Sequence, residues 1–238
     1  MARRTKLEKF ADLLTFPNVY QNYNPKNPQL VGQHRKPVDV QGNWIENHFG
    51  NRNPVKLELA CGKGEYTIEL ARRYPDNNFI GVDIKGNRIW KGAKTAIEEG
   101  LGNVAFLRTR IEQIDLFFTH SEVDEIWIVF PDPFVKKSNI NRRLTAPIFL
   151  ERYRRILAPE GCVHLKTDSQ SFYEFTHEVL KRPDTAVILM SVDDLYRNDV
   201  IPSDMDIQTY YEKMHVAQGK KIRYIKWQFI QNEAIPEP

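Results

Sequence analysis

One aspartate stands between two prolines in Phe130-Pro131-Asp132-Pro133-Phe134, at the end of the apolar run Ile126 to Phe130. Each proline fixes its own φ and removes a backbone donor, so the carboxylate between them is held in a set direction where a strand stops. An isolated P-D-P is as readily an ordinary turn. The downstream neighbours separate the two readings: Val135-Lys136-Lys137-Ser138-Asn139-Ile140-Asn141-Arg142-Arg143-Leu144 begins the densest positive charge in the chain. Residues 136 to 155 carry seven cations against the single Glu151, although the whole protein has a net charge of only +3. A directed carboxylate beside a cationic bank suits chemistry on one part of a polyanion. A second excess lies at the front, where Arg3, Arg4, Lys6, Lys9, Lys26, Arg35 and Lys36 outnumber Glu8, Asp12 and Asp39. A solvated surface explains that segment equally well.

Two further places carry residues of the right kind. In Glu58-Leu59-Ala60-Cys61-Gly62-Lys63-Gly64 the glycines allow a tight turn and a close backbone approach to a ligand. A dinucleotide fingerprint wants a third glycine at 67, where Thr67 stands, and a phosphate loop wants G-K-[ST] after a longer spacer. Nineteen residues beyond Gly64, Asp83 ends another apolar run, where a carboxylate can accept from both hydroxyls of a ribose. Its competing role is a cap for a helix starting near Gly86. Cys61 fits a small packing residue in the loop better than a nucleophile.

These residues need elements that bring them together. From 55 onward short apolar strands alternate with amphipathic helices: strands at 55–60, 78–83, 104–109, 125–130 and 162–167, with helices to about 74 and 100, from about 147 to 157, and from about 169 to 181. Such repeated β-α-β units predict a doubly wound, mostly parallel sheet in a three-layer α/β/α arrangement, with ligands beyond the carboxyl ends of the strands. Runs 185–192 and 221–230, joined by a long polar link without a strong crossover helix, predict an antiparallel closing pair. Residues 1–52 are rich in Asn, Gln, Pro and Lys, with Phe16, Tyr20, Tyr23 and Trp44 interspersed, and read as an arm with short helices.

The stretch VFPDPFVKKSNINRRL resembles the signature F-F-P-D-P-W-x-K-[KR]-x-x-x-K-R-R-[IL] of the bacterial tRNA (guanine-N7)-methyltransferases, a family of Rossmann-like methyltransferases. LELACGKGEY, FIGVDI, HLKTDS and Thr209-Tyr210-Tyr211-Glu212 also match, and the similarity runs with few gaps from about Val55 to Gln228. The resemblance implies an S-adenosylmethionine-dependent enzyme acting on a guanine N7 in the variable loop of tRNA, with residues 53–238 as the methyltransferase domain and 1–52 as a possible tRNA contact. Carried over, it implies Glu58, Gly62, Gly64, Asp83, Arg110 and Asp132 at the cofactor, Asp132 as the catalytic residue, and Lys136, Asp168, Thr209 and Glu212 at the substrate. Lys137, Arg142 and Arg143 are expected on tRNA phosphates. Phe134 replaces tryptophan, Asn141 replaces lysine, and Arg110 stands where the family has Asp or Asn, so its backbone is expected to line the adenine pocket.

Three rivals are weighed against this reading. Amino-group methyltransferases carry D-P-P-[YF], the wrong order for P-D-P-F. A non-catalytic RNA-binding relative would not need Glu58, Gly62, Gly64, Asp83 and Asp132 together, and a nicotinamide dehydrogenase lacks its third glycine. The six histidines show no ligand spacing and the two cysteines no partner motif, so no metal is expected. No apolar run reaches membrane-spanning or signal-peptide length, which leads to an expectation of a cytoplasmic protein.

Overall fold

The computed structural model describes residues 4–197, 201 and 204–230; Arg3 lies outside them. The strands are β1 (Val19–Asn22), β2 (Leu30–Val31), β3 (Val55–Leu59), β4 (Asn78–Asp83), β5 (Val104–Arg108), β6 (Val123–Val129), β7 (Leu157–Thr167), β8 (Ala186–Val192) and β9 (Arg223–Phe229). The helices are α1 (Lys6–Leu13), α2 (Glu65–Arg73), α3 (Gly86–Glu99), α4 (Pro147–Ile156), α5 (Gln170–Leu180) and α6 (Tyr210–Ala217). Local chemistry sets several boundaries. Thr5 and Glu8 form a capping box at α1, Pro147 opens α4, and Gly100 at φ 68° ends α3.

One sheet has the order β2-β1-β5-β4-β3-β6-β7-β9-β8. β1, β5, β4, β3, β6 and β7 run parallel, while β9 is antiparallel to both its neighbours. After β5 the chain crosses back to lay β6 beside β3, so strand order reverses between them. A crevice opens at such a point because the loops leaving the two strands diverge to opposite faces. Leu57, Leu59, Ile126 and Ile128 pack on one face with Phe149, Tyr153 and Phe172 of α4 and α5. Leu13, Tyr66, Leu70, Ile89 and Ala93 cover the other from α1, α2 and α3. Among the described residues no helix is long and apolar enough to cross a membrane.

The first fifty residues differ from the expected arm. β1 pairs in parallel with β5 and extends the sheet. Trp44 is fully buried, stacks on Phe118 at 5.3 Å and donates through Nε1 to the Phe117 carbonyl at 2.9 Å. Tyr20 and Trp44 belong to the same core cluster as β3 and β6, so no boundary at 52 divides the packing. The polar link before β9 also contains a helix, α6.

Candidate active site

The glycine loop after β3 is left-handed three times, at Ala60 (φ 57°), Gly62 (φ 57°) and Gly64 (φ 70°). A side chain at Gly64 would meet the buried Phe106 ring at 2.6 Å, so this position admits only glycine. At Gly62 a Cβ would meet open space, so the backbone there is open to close approach, and Ala60 of the same loop lines the cleft. Ala60 is the position sequence reasoning passed over; the alternate spacing 60, 62, 64 was the available signal, and the left-handed conformation costs alanine about 1 kcal/mol more than glycine.

Asp83 at the β4 tip accepts from Gly62 N at 3.0 Å and Lys85 N at 2.7 Å. Its two oxygens thus tie the glycine loop to β4, and each keeps a further lone pair toward the cleft it lines. No side chain caps α3, so Asp83 is not the cap of that helix. Replacing Asp83 with Ala is expected to weaken cofactor binding by about 1.5–3 kcal/mol, the scale for hydrogen bonds to a charged acceptor. Titration calorimetry reads this directly, and unchanged affinity would leave Asp83 a loop tie only.

Glu58 departs from its expected place. Its carboxylate is buried behind the loop and accepts from the backbone N of Thr67 at 2.8 Å and from the Thr67 hydroxyl. Burial, reinforced by the nearby Asp83 and Glu65 charges, pushes its pKa up to about 8. The folded chain therefore keeps this proton at pH values where the unfolded chain has released it, and stability falls as pH rises between about 4.5 and 8. Glu58→Gln should flatten that part of the profile. Thermal melts across this range that run parallel for the two proteins would contradict it.

The other wall of the cleft is the β6 tip. Phe130 (φ 47°) and Phe134 (φ 41°) are both left-handed, on either side of Pro131-Asp132-Pro133. Backbone strain of this kind persists only where the surroundings enforce it. Here Phe130 N donates to the Lys166 carbonyl at 2.8 Å, and Arg143 donates to the carbonyls of Pro133 at 2.9 Å and Ser171 at 3.2 Å. Arg143 is thereby corrected from a phosphate contact: its side chain is buried, stacks 4.7 Å over Phe175, and braces the loop that presents Asp132. Burial lowers its pKa, yet a guanidinium stays charged. Arg142 faces the opposite way, exposed and 4.7 Å over Phe134, and Lys136 and Lys137 are exposed beside it.

Asp83, Ile84, Arg110, Ile111, Asp132 and Arg142 all line one cleft of about 480 Å³ between the two tips. Asp168, at the β7 tip, is half-buried, with Lys220 Nζ at 3.0 Å and His215 Nδ1 at 3.2 Å. Thr209 and Glu212 are not among the residues that line this cleft. The Thr209 hydroxyl accepts from Glu212 N at 3.3 Å and caps α6. The Glu212 carboxylate is wholly buried, 2.7 Å from Lys166 Nζ, and accepts from Tyr196 Oη at 2.7 Å. Burial pushes Glu212 up and Lys166 down in pKa, while each charge holds the other ionised.

Cys162 and His164, two apart on β7, share a face with Glu125 of β6, and one donor atom from each lies within 4.8 Å of the others. Lys56 at 3.0 Å and Trp127 Nε1 at 3.1 Å already occupy Glu125, and Tyr224 Oη holds His164 Nδ1 at 2.7 Å. Cations on β3 and β9, Lys56 and Lys226, both act on this cluster and oppose a bound metal ion.

Residues 52–225 match the family described as "Putative methyltransferase". The tRNA (guanine-N(7)-)-methyltransferase of Bacteroides thetaiotaomicron is 44% identical over 235 residues, covering 99% of this chain and 90% of its own. That of Christiangramia forsetii is 46% identical over 228 residues, 95% of this chain and 99% of its own. Among solved structures, the 16S rRNA (adenine(1408)-N(1))-methyltransferase from Catenulisporales acidiphilia superposes with a TM-score of 0.60 at 12% identity, over 83% of this chain and 97% of that one. At that identity the likeness speaks for the Rossmann-like fold alone. With the identity to the two tRNA enzymes sustained across nearly the whole length, the chain belongs to the tRNA (guanine-N(7)-)-methyltransferase family.

Proposed function

We infer that this protein transfers the methyl group of S-adenosylmethionine to N7 of a guanine in tRNA, in the variable loop. The observation that carries this reading is the one cleft lined by Asp83, by Ala60 of the glycine loop and by Asp132, with Arg142 in its wall and exposed Lys136 and Lys137 on the same loop as Arg142. The residues fit the cofactor: Asp83 has lone pairs left for a ribose, Gly62 leaves its backbone open to close approach, and Ile84 and Ile111 offer apolar surface for an adenine, with the Arg110 backbone beside it.

When bound, the cofactor supplies an electrophilic methyl on a sulfonium sulfur. Guanine N7 carries an in-plane lone pair and no proton, so it attacks without a general base. Asp132 and Asp168 accept from the N1–H and N2–H₂ edge, orient N7 and favour the positive charge that develops on the base. A base within a folded RNA must be splayed outward to enter such a cleft, and Lys136, Lys137 and Arg142 hold the phosphates around it. Incubation with methyl-labelled cofactor and bulk tRNA, then digestion to nucleosides, tests the assignment. Label in 7-methylguanosine is expected; label in a methyladenosine, or in no nucleoside, would overturn it.

A further inference from the structure

A second surface, on the far side of the cleft from the Lys136–Arg142 loop, has a charge pattern that solvation alone does not explain. A groove of about 820 Å³ runs between α1, α2 and α3, and Lys9, Lys63, Arg88 and Lys91 are among the residues that line it. Arg88 borders both hollows, so the two are adjacent.

Along α3 the cations divide sharply. Some are paired: Lys94 holds Glu98 at 2.9 Å, and Arg72 of α2 holds Glu99 at 2.6 Å and Glu69 at 3.0 Å. This is the i,i+4 and interhelix pairing expected of a solvated helical face. Of the other cations lining the groove, Lys9, Lys63, Arg88 and Lys91 make no ion pair within 4 Å among the described residues. The acids that could have served them are engaged elsewhere. Glu65 accepts from Tyr210 N at 2.8 Å, and Asp12 accepts from Trp90 Nε1 at 2.8 Å with Arg4 beside it. Lys9 lies 4.8 Å over the Trp90 ring, which orients it without neutralising it.

We propose that this groove is a second phosphate-binding track for tRNA, gripping the RNA backbone on the side of the target base opposite the Lys136–Arg142 loop. It rests on the reading of tRNA as the substrate, and adds that the N-terminal helix α1, through Lys9, takes part in holding it. Cations on both banks would keep the backbone fixed at two points while the base between them turns into the cleft.

The test uses the full chain and purified tRNA. In Lys9→Ala/Lys91→Ala, both changes lie outside the cofactor loop and the cleft. Dissociation constants across a salt series should rise several-fold at low salt, and the slope of log K against log[salt] should become shallower by about 0.7–0.9 for each phosphate interaction removed. KM for tRNA should rise with kcat and cofactor affinity unchanged. Lys94→Ala, which removes a paired cation, should leave the slope alone. Lys91→Gln, a single exposed change on α3, gives the same reading at one position and guards against a fold defect in the double variant. A slope and affinity equal to wild type in an enzyme that methylates tRNA would overturn the proposal. Failure of the wild type to methylate tRNA would instead overturn the reading on which it rests.

Discussion

Asp132→Ala should reduce methyl transfer by about 10²- to 10³-fold, roughly 3–4 kcal/mol, the scale for removing one preorganised electrostatic contact at a reacting centre, while cofactor affinity stays within a few-fold. Two prolines, two left-handed phenylalanines and the buried Arg143 brace a carboxylate that is itself exposed to the cleft. A fold that invests strain and a buried cation in one carboxylate fixes its direction before substrate arrives. Asp132 stands on the β6 wall, across the cleft from Asp83 on β4, the proposed ribose acceptor. Single-turnover transfer and calorimetry on the same variant separate the two roles. If cofactor affinity collapses along with transfer, Asp132 belongs to the cofactor's side.

Lys166→Ala should cost about 3–5 kcal/mol of folding stability, because it strands the buried Glu212 carboxylate without its counter-charge. The same change leaves the carbonyls of Met205 and Ile207, to which Lys166 donates at 2.7 and 3.0 Å, without a partner. Together these bonds clamp β7 to the chain that leads into α6. Removing both charges in Lys166→Met/Glu212→Gln should recover much of the loss, since the penalty comes from an unpaired charge rather than from the missing pair. Denaturant midpoints at constant slope read both effects. A Glu212→Ala protein of wild-type stability with weakened tRNA binding would return Glu212 to the substrate side, as the T-x-[FY]-E resemblance implied.

The legible part of the site lies where periodicity breaks. Asp83 and Asp132 are charged residues at the ends of apolar runs, and a parallel sheet buried on both faces favours such residues at the strand tips, whereas Asp168 was carried by the resemblance of HLKTDS. The β-α-β order from 55 onward was readable for the same reason. Arg142 and Arg143 show the limit. They are adjacent and chemically identical, and only the path of the backbone sends one to solvent and the other into the α5 side of the loop. Glu212 was hidden likewise: T-x-x-E is a capping pattern as well as a family motif, and burial of its carboxylate depends on Lys166, forty-six residues earlier in the chain. β1 is four residues long and its partner β5 lies more than eighty positions away, so no local period marked it as part of the sheet. α6 lacks an apolar stripe, with both its tyrosines exposed, and read as a polar link.

The most direct measurement replaces the proposed nucleophile itself. A tRNA transcribed with 7-deazaguanine keeps the Watson–Crick edge and the phosphates but has carbon at position 7. It should compete with ordinary tRNA for the enzyme, because Asp132, Asp168 and the cationic banks still find their partners, and it should accept no methyl group. Methyl transfer to that RNA at a rate near that of ordinary tRNA would contradict the account, since the reacting atom would then lie elsewhere on the substrate.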